Sequence, residues 1–391
     1  MSREKVGARE AVGRASRPGR DYRLDFFRGL ALVCIFIDHI PDNRLSTFTL
    51  RSYAFCDAAE VFIFISGFTA AMVYGRGLLK DGRLMCTARI WRRAWQLYVA
   101  HLCIFMLYNA EVAYTMGHYN NPLFADELQV GAFLQDPAVI IPRVLLLQFQ
   151  PSLLNILPVY IILMLVFPLF LLPMRRTLVV PLLASLVIYL SVEIWDLDFP
   201  AYPPDTEWYF NPLAYQFLFV LAATFGFASI KQRRLLPEWR WLVPAAVVIV
   251  AVGVLVQGSW TLHGLFPRVH PLFDVPDWLG EKSRLAPLRI VSLLSMALIV
   301  ARLVPPRAAM LTSRLGWPIV LCGQNSLYVF CLTILLSVLA NIVMLVAGHG
   351  LLVQLGLSMM GLALMIGFSF MLAWFDSGGH LPHRPQAVVE A

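Results

Sequence analysis

Arg28 and His39 stand eleven residues apart in one apolar run. At 3.6 residues per turn this spacing is almost three whole turns, so one helix presents both on one face, roughly 16 Å apart along its axis. Asp25 and Asp38 share the run, and the next apolar run carries Asp57 and Glu60, three residues apart and hence on one helical face. Histidine titrates near neutrality, and carboxylates beside it orient the ring and stabilise the imidazolium, which is the equipment of general-base chemistry. His39, Asp38, Asp57 and Glu60 are therefore the candidate proton-transfer group, set against the alternative of a polar cluster that only joins the first two helices. A third run opens on Arg89, Arg92 and Arg93 with Trp91 and Trp95 interleaved, and continues to His101 and Glu111. Arginine forks and indole planes suit a phosphate-rich nucleotide by bidentate bonding and stacking. The same arginines also satisfy the bias of cytoplasmic helix ends toward positive charge, and spacing alone leaves both readings open.

Metal chemistry has no comparable signal. The six cysteines form no CxxC pair and fall mostly in apolar runs, there is no HExxH, and no glycine-rich phosphate loop is present. No metal site and no permanently bound cofactor are expected.

The elements that must position these residues follow from composition. Of 391 residues 59% are hydrophobic and only 14% charged, against the quarter or so that a soluble surface needs. The mean hydropathy is +0.69. A bilayer core requires about 20 mostly apolar helical residues per span. Apolar runs near 24–40, 54–74, 94–112, 152–173, 178–194, 211–230, 241–257, 285–304, 319–347 and 351–375 predict an all-α, polytopic integral membrane bundle of about ten helices. The ninth is too long for one straight span and is expected to contain a turn outside the core. Segment 138–149, with Pro142 and Arg143, is too short to cross and reads as an interfacial or re-entrant helix.

Ionisable groups inside a span cost roughly 2.5–3.5 kcal/mol each on insertion scales, so their concentration in the first three helices marks the region where a site belongs. With the N-terminus in the cytoplasm, the cytoplasmic segments hold 23 of the 31 Lys and Arg residues, which predicts both termini inside. The charge of +7 is thereby assigned to the membrane face and not to nucleic acid. Residues 1–21 read as a disordered basic tail, 22–376 as the membrane domain and 377–391 as a second cytoplasmic tail, in a multi-pass protein of the bacterial inner membrane.

Several stretches carry a resemblance. Leu24-Asp25-Phe26-Phe27-Arg28-Gly29-Leu30-Ala31 with His39, Phe62-Ile63-Phe64-Ile65-Ser66-Gly67-Phe68, and Arg89-x-x-Arg92 resemble the membrane acyltransferases of family 3. Asp38-His39-Ile40-Pro41, Asp57-Ala58-Ala59-Glu60, the run from Gln150 to Pro158, Phe210 to Gln216, and Gly323 to Phe330 resemble the OpgC branch, associated with succinylation of osmoregulated periplasmic glucans. The resemblance covers residue 20 to about 375. It implies a cytoplasmic acyl-CoA donor, succinyl-CoA among the choices, and a periplasmic glycan hydroxyl as acceptor. It implies His39 as general base and Arg28 as a site-shaping or donor-contacting cation. Arg89 and Arg92 become donor contacts, with Arg93 and Ser66 beside them. Asn155, Gln324, Asn325 and His101 are weaker candidates for acceptor or oxyanion contacts. Gln324 departs from the family pattern, which has arginine there. The expected partners are the bilayer, the donor and the glycan; self-association is left open. A secondary transporter, or a silent component of a glycan export assembly, is the competing reading. A transporter built from repeats would place matching charges in both halves, whereas this chain loads only one.

Overall fold

The computed structural model describes residues 21–119, 128–204, 206–233, 235, 237 and 239–380. The expected tails lie outside them, except for Asp21 and residues 377–380. Among the described residues every regular element is helical. The helices are α1 (Tyr22–Asp38), α2 (Ala58–Asp81), α3 (Arg83–Tyr119), α4 (Gly131–Gln135), α5 (Pro137–Leu145), α6 (Ile156–Met174) and α7 (Val179–Trp195). They continue with α8 (Pro212–Ile230), α9 (Leu242–Leu265), α10 (Asp277–Gly280), α11 (Pro287–Leu303), α12 (Gly316–Gln324), α13 (Ser326–Ala347) and α14 (Leu351–Asp376). By length and composition α2, α3, α6, α8, α9, α13 and α14 can each cross a membrane. Helices α1, α7 and α11 have 17 residues each and are shorter. The protein is a multi-pass membrane protein.

Two expected boundaries need correction. The third apolar run is part of a 37-residue helix, roughly 55 Å long, so α3 outruns the roughly 30 Å hydrocarbon core. The ninth run begins at Gly316 and breaks at Asn325, giving a short α12 followed by α13. Segment 138–149 contains only the nine-residue α5, too short to span, capped by Asp136 accepting from the Val139 N–H at 3.3 Å.

Local chemistry explains where the site-bearing helices begin. Asp57 accepts from the Ala59 N–H at 2.9 Å while Glu60 Oε2 accepts from the Asp57 N–H at 2.7 Å, a capping box that starts α2. Asn211 caps α8 through the Leu213 N–H at 2.9 Å, with Pro212 at the first helical position. At the other end of the bundle Arg23 donates to the Ala301 and Val304 carbonyls at 3.2 and 2.9 Å, closing the C-terminus of α11.

Close backbone approach holds the inner helices together. A Cβ on Gly323 would lie 1.7 Å from the Asp25 carbonyl oxygen, and one on Gly29 would lie 2.0 Å from that of Ile319, so α1 and α12 touch main chain to main chain. The crossing of α2 and α8 is built likewise, with Gly67 against Phe219 and Gly226 against Phe68. Lipid tails are as apolar as leucine, so such packing is what drives helix association in a membrane. Gly226→Ala is expected to cost about 1–3 kcal/mol through overpacking, read as an earlier unfolding midpoint in a denaturing-detergent titration. Gly258→Ala, which faces open space, should leave the midpoint unchanged or raise it. Equal behaviour of the two variants would show that the α2–α8 crossing does not depend on glycine.

Candidate active site

Two polar regions lie along the first two helices, and they are built differently. The first is a cavity of about 220 Å³ bounded by α1, α2, α3, α6 and α13. Phe62, Ser66, Thr69 and Tyr74 line it along α2, and the twelve helical steps from Phe62 to Tyr74 extend it by roughly 18 Å. Arg28 and Arg93 are both in its wall, with Tyr160 and Ser326, and no carboxylate belongs to that wall. Arg28 donates through Nη2 to Thr69 Oγ1 at 2.6 Å and to the Ile65 carbonyl at 3.4 Å, so α2 fixes its guanidinium.

Helix N-termini add to this polarity. The first residues of α6 (Ile156, Leu157) and of α13 (Ser326, Leu327) line the cavity. The residues preceding them, Asn155 and Asn325, make no side-chain capping bond. Uncapped N-termini leave N–H groups and the positive end of the helix dipole available, which favours anions. The cavity therefore combines two arginines, two helix starts and several hydroxyls between apolar walls. Asn325 instead donates to the Leu321 carbonyl at 3.2 Å. Gln324 is the last residue of α12.

The other arginines of the basic run are placed elsewhere. Arg89 is exposed and paired with Asp81, and Arg92 is exposed. Of the three, only Arg93 reaches the cavity wall. Ser66 reaches it too. His101 is fully buried in α3, outside the cavity wall, and neither of its ring nitrogens has a hydrogen-bond partner.

The second region surrounds the end of α1. His39 is its C-terminal cap and keeps helical backbone angles, so it stays in phase with Arg28, about three turns back. The carboxylates expected to orient the ring do not contact it. Asp38 accepts from Thr49 Oγ1 at 2.6 Å and lies 3.7 Å from Arg51. Asp57 pairs with Lys282 at 2.5 Å and with Arg289 at 3.6 Å, and Glu60 accepts from Arg289 Nε at 2.6 Å. Tyr215 donates to the Lys282 carbonyl at 2.8 Å and sits 3.4 Å from Glu60. Lys282 and Arg289 escaped the sequence reading because they lie more than two hundred residues downstream and look like ordinary loop and helix-start cations. Two buried carboxylates without a local cation were the signal that such partners must exist. Lys282 lies outside the spanning helices. Burial pulls its pKa down, yet the Asp57 and Glu60 carboxylates outweigh burial and hold the ammonium above the usual lysine range.

His39 is thus placed by its backbone. Its Nδ1 is buried with no hydrogen-bond partner. Its carbonyl accepts from Asn341 Nδ2 of α13 at 3.1 Å, and that amide also donates to the Ser337 carbonyl at 2.7 Å. Four residues on, Asn43 donates to the Ile37 carbonyl at 3.2 Å and to Ser358 of α14 at 3.0 Å. Bonds from two other helices fix the turn and leave the imidazole without a protein partner. Asn341→Leu should loosen it. A hydrogen bond contributes about 1 kcal/mol net, so exchange of the Ile40 and Asn43 amides should quicken by about fivefold in hydrogen-exchange mass spectrometry, with α13 itself unaffected. Unchanged protection would mean that the Asn43–Ser358 bond alone sets the turn.

The model of the OpgC protein family matches residues 20–377. No curated protein matches the chain, and no solved structure does. With nearly its whole length covered, this multi-pass helical membrane protein belongs to the OpgC family.

Proposed function

We propose that the chain is an O-acyltransferase working across the bacterial inner membrane, moving an acyl group from cytoplasmic acyl-CoA to a hydroxyl of a periplasmic glucan or related glycan. Ten helices cross in this reading, with both termini in the cytoplasm, so the Arg93 end faces inward and the His39 end outward. The succinyl group is the acyl group that the resemblance favours, and family membership is consistent with acyl transfer. The observation that carries the reading is the cavity between Arg28, Arg93 and the starts of α6 and α13. It extends roughly 18 Å along α2 and is lined by apolar and hydroxyl side chains together with Arg28 and Arg93. An acyl-pantetheine arm requires these properties, with its anionic end nearest Arg93.

His39 then acts as general base. It takes the proton from the acceptor hydroxyl as that oxygen attacks the thioester carbonyl, and the thiolate of CoA leaves toward the cytoplasm. The exposed pair Arg89 and Arg92 meets the donor outside the cavity, and Arg93 meets it inside. Ser66, in the cavity wall, contacts the acyl-pantetheine chain. Asn155, before α6, is left as the oxyanion contact, while Gln324 and Asn325, at the α12–α13 break about 24 Å along the helix from Asn341, meet the donor arm.

Paired variants in purified protein test the assignment. His39→Gln keeps hydrogen-bonding capacity and removes basicity. It should lower transfer by about 100- to 10,000-fold while acyl-CoA still binds. Arg93→Ala should weaken acyl-CoA binding by more than Arg89→Ala or Arg92→Ala does. Transfer at near wild-type rate by the glutamine variant would reduce His39 to a structural residue. An Arg93→Ala protein with undiminished donor affinity would remove the cavity from the donor path.

A further inference from the structure

The polar network at the His39 end grades from the interior to the surface. Glu60 is completely buried, Arg289 and Asp57 are 12% and 14% exposed at their side chains, and Lys282 is 27% exposed. At its rim stands Tyr209, half exposed, in the polar segment that joins α7 to α8. The Lys282 ammonium lies over the Tyr209 ring at 5.0 Å from its centroid and over Phe210 at 5.2 Å. Tyr209 meets Phe210 edge to face at 4.9 Å, and Phe210 meets buried Tyr215 in the same way at 5.1 Å. Tyr215 in turn holds the Lys282 carbonyl. The exposed ring is therefore braced from beneath by an aromatic stack and by the ion-paired loop, and cannot swing freely.

Its setting separates it from an aromatic belt residue. A belt tyrosine sits among apolar lipid-facing side chains with only its hydroxyl toward water. Here an ammonium and a carboxylate lie beside the ring, and Asp57 and Lys282 are both within electrostatic reach of His39. A flat aromatic face, an ammonium donor and a carboxylate acceptor together match one chemical class. A neutral sugar offers a C–H face to stack and hydroxyls that both give and accept hydrogen bonds. A charged ligand would have to break the balance of two carboxylates and two cations.

We infer that Tyr209, Lys282 and Asp57 form a subsite for a neutral sugar ring at the rim of the charged network that starts α2 and α11. The inference rests on the acyl-transfer reading in one respect: it places the acceptor at the end of the bundle opposite the donor arginines. The sugar stacks on Tyr209, and its hydroxyls engage the Lys282 ammonium and Asp57 Oδ2, the oxygen paired with it, which brings a neighbouring hydroxyl toward His39.

The test uses the full-length protein in detergent micelles and cellotetraose, a neutral β-linked glucose tetramer, as probe, followed by saturation-transfer NMR. The wild type should bind it, Tyr209→Ala should weaken binding by at least about tenfold, and Tyr209→Trp should stay within about twofold. Affinity for acyl-CoA, measured separately on each protein, should not change. Loss of sugar binding in Tyr209→Ala, with the rescue by Tyr209→Trp, in a system where the wild type binds the sugar but not acyl-CoA would retain the sugar subsite and sink the donor reading. Wild-type affinity in Tyr209→Ala, or absence of cellotetraose binding to the wild type, would overturn the subsite. A substitution that alters only partitioning into liposomes would overturn it as well and return Tyr209 to the membrane interface.

Discussion

The contact between Arg289 and Glu60 is the interaction on which the arrangement of the His39 end depends. Glu60 has no solvent exposure, and a carboxylate buried in a membrane bundle costs several kcal/mol unless a cation and further donors meet it. Arg289 does so at 2.6 Å from the first turn of α11, reaching Asp57 and the Gly280 carbonyl with its other nitrogens. The capping box makes the same carboxylates start α2. One four-charge cluster therefore sets the beginning of α2, the beginning of α11 and the loop before it. Leu285 in that loop is fully buried with φ at +55°, a conformation that a branched residue adopts only when its surroundings impose it. The imposing groups are the Tyr189 hydroxyl on the Leu285 carbonyl at 3.0 Å and the Leu285 N–H on the Lys282 carbonyl at 3.0 Å. Packing around Arg289 and Glu60 thus fixes where Lys282 stands.

This division of labour separates two kinds of polar residue that look alike in a hydropathy profile. Asp57 and Glu60 are tied into structure: Asp57 caps α2 and pairs with Lys282 and Arg289, and Glu60 completes the capping box, pairs with Arg289 and meets the Tyr215 hydroxyl. His39 is the reverse case, a polar ring with no partner whose main chain is held by Asn341 and whose turn is held by Asn43. A group that must accept a proton in the proposed reaction gains from that arrangement, because no resident carboxylate is hydrogen-bonded to the imidazole. The Arg28–Arg93 cavity is polar in another way, since both arginines stand in its wall and no carboxylate lines it.

How far this was legible in the sequence depended on the range of the interaction. Arg28, His39 and their common face follow from a spacing within one helix, and the structure keeps them in phase. The membrane-scale helices follow from apolar runs, and the short α5 from its length and its proline. The grouping of Asp38, Asp57 and Glu60 around His39 did not survive. Depth in a bilayer can be read from sequence position, but azimuth around a neighbouring helix cannot, and the three carboxylates turn toward Thr49, Lys282 and Arg289. The same ambiguity hid which arginine of the basic run enters the cavity. Arg89, Arg92 and Arg93 are equivalent by charge, and α3 presents only Arg93 to the space shared with α2 and α6. The break at Asn325 was readable as a turn in a run too long for one span, but its place between α12 and α13 was not.

That break has a consequence for how a site could span the bundle. Helix α12 packs main chain to main chain on α1 through Gly29 and Gly323, so the segment carrying Arg28 is fixed against it. Helix α13 starts afresh two residues later, gives its first turn to the cavity, and some fifteen residues on provides Asn341 to the turn of His39. A continuous helix would offer the cavity a closed wall of satisfied backbone, and irregular backbone at membrane depth is tolerated only where protein or an aqueous cavity receives it. The interruption therefore links the two polar regions through a single rigid element.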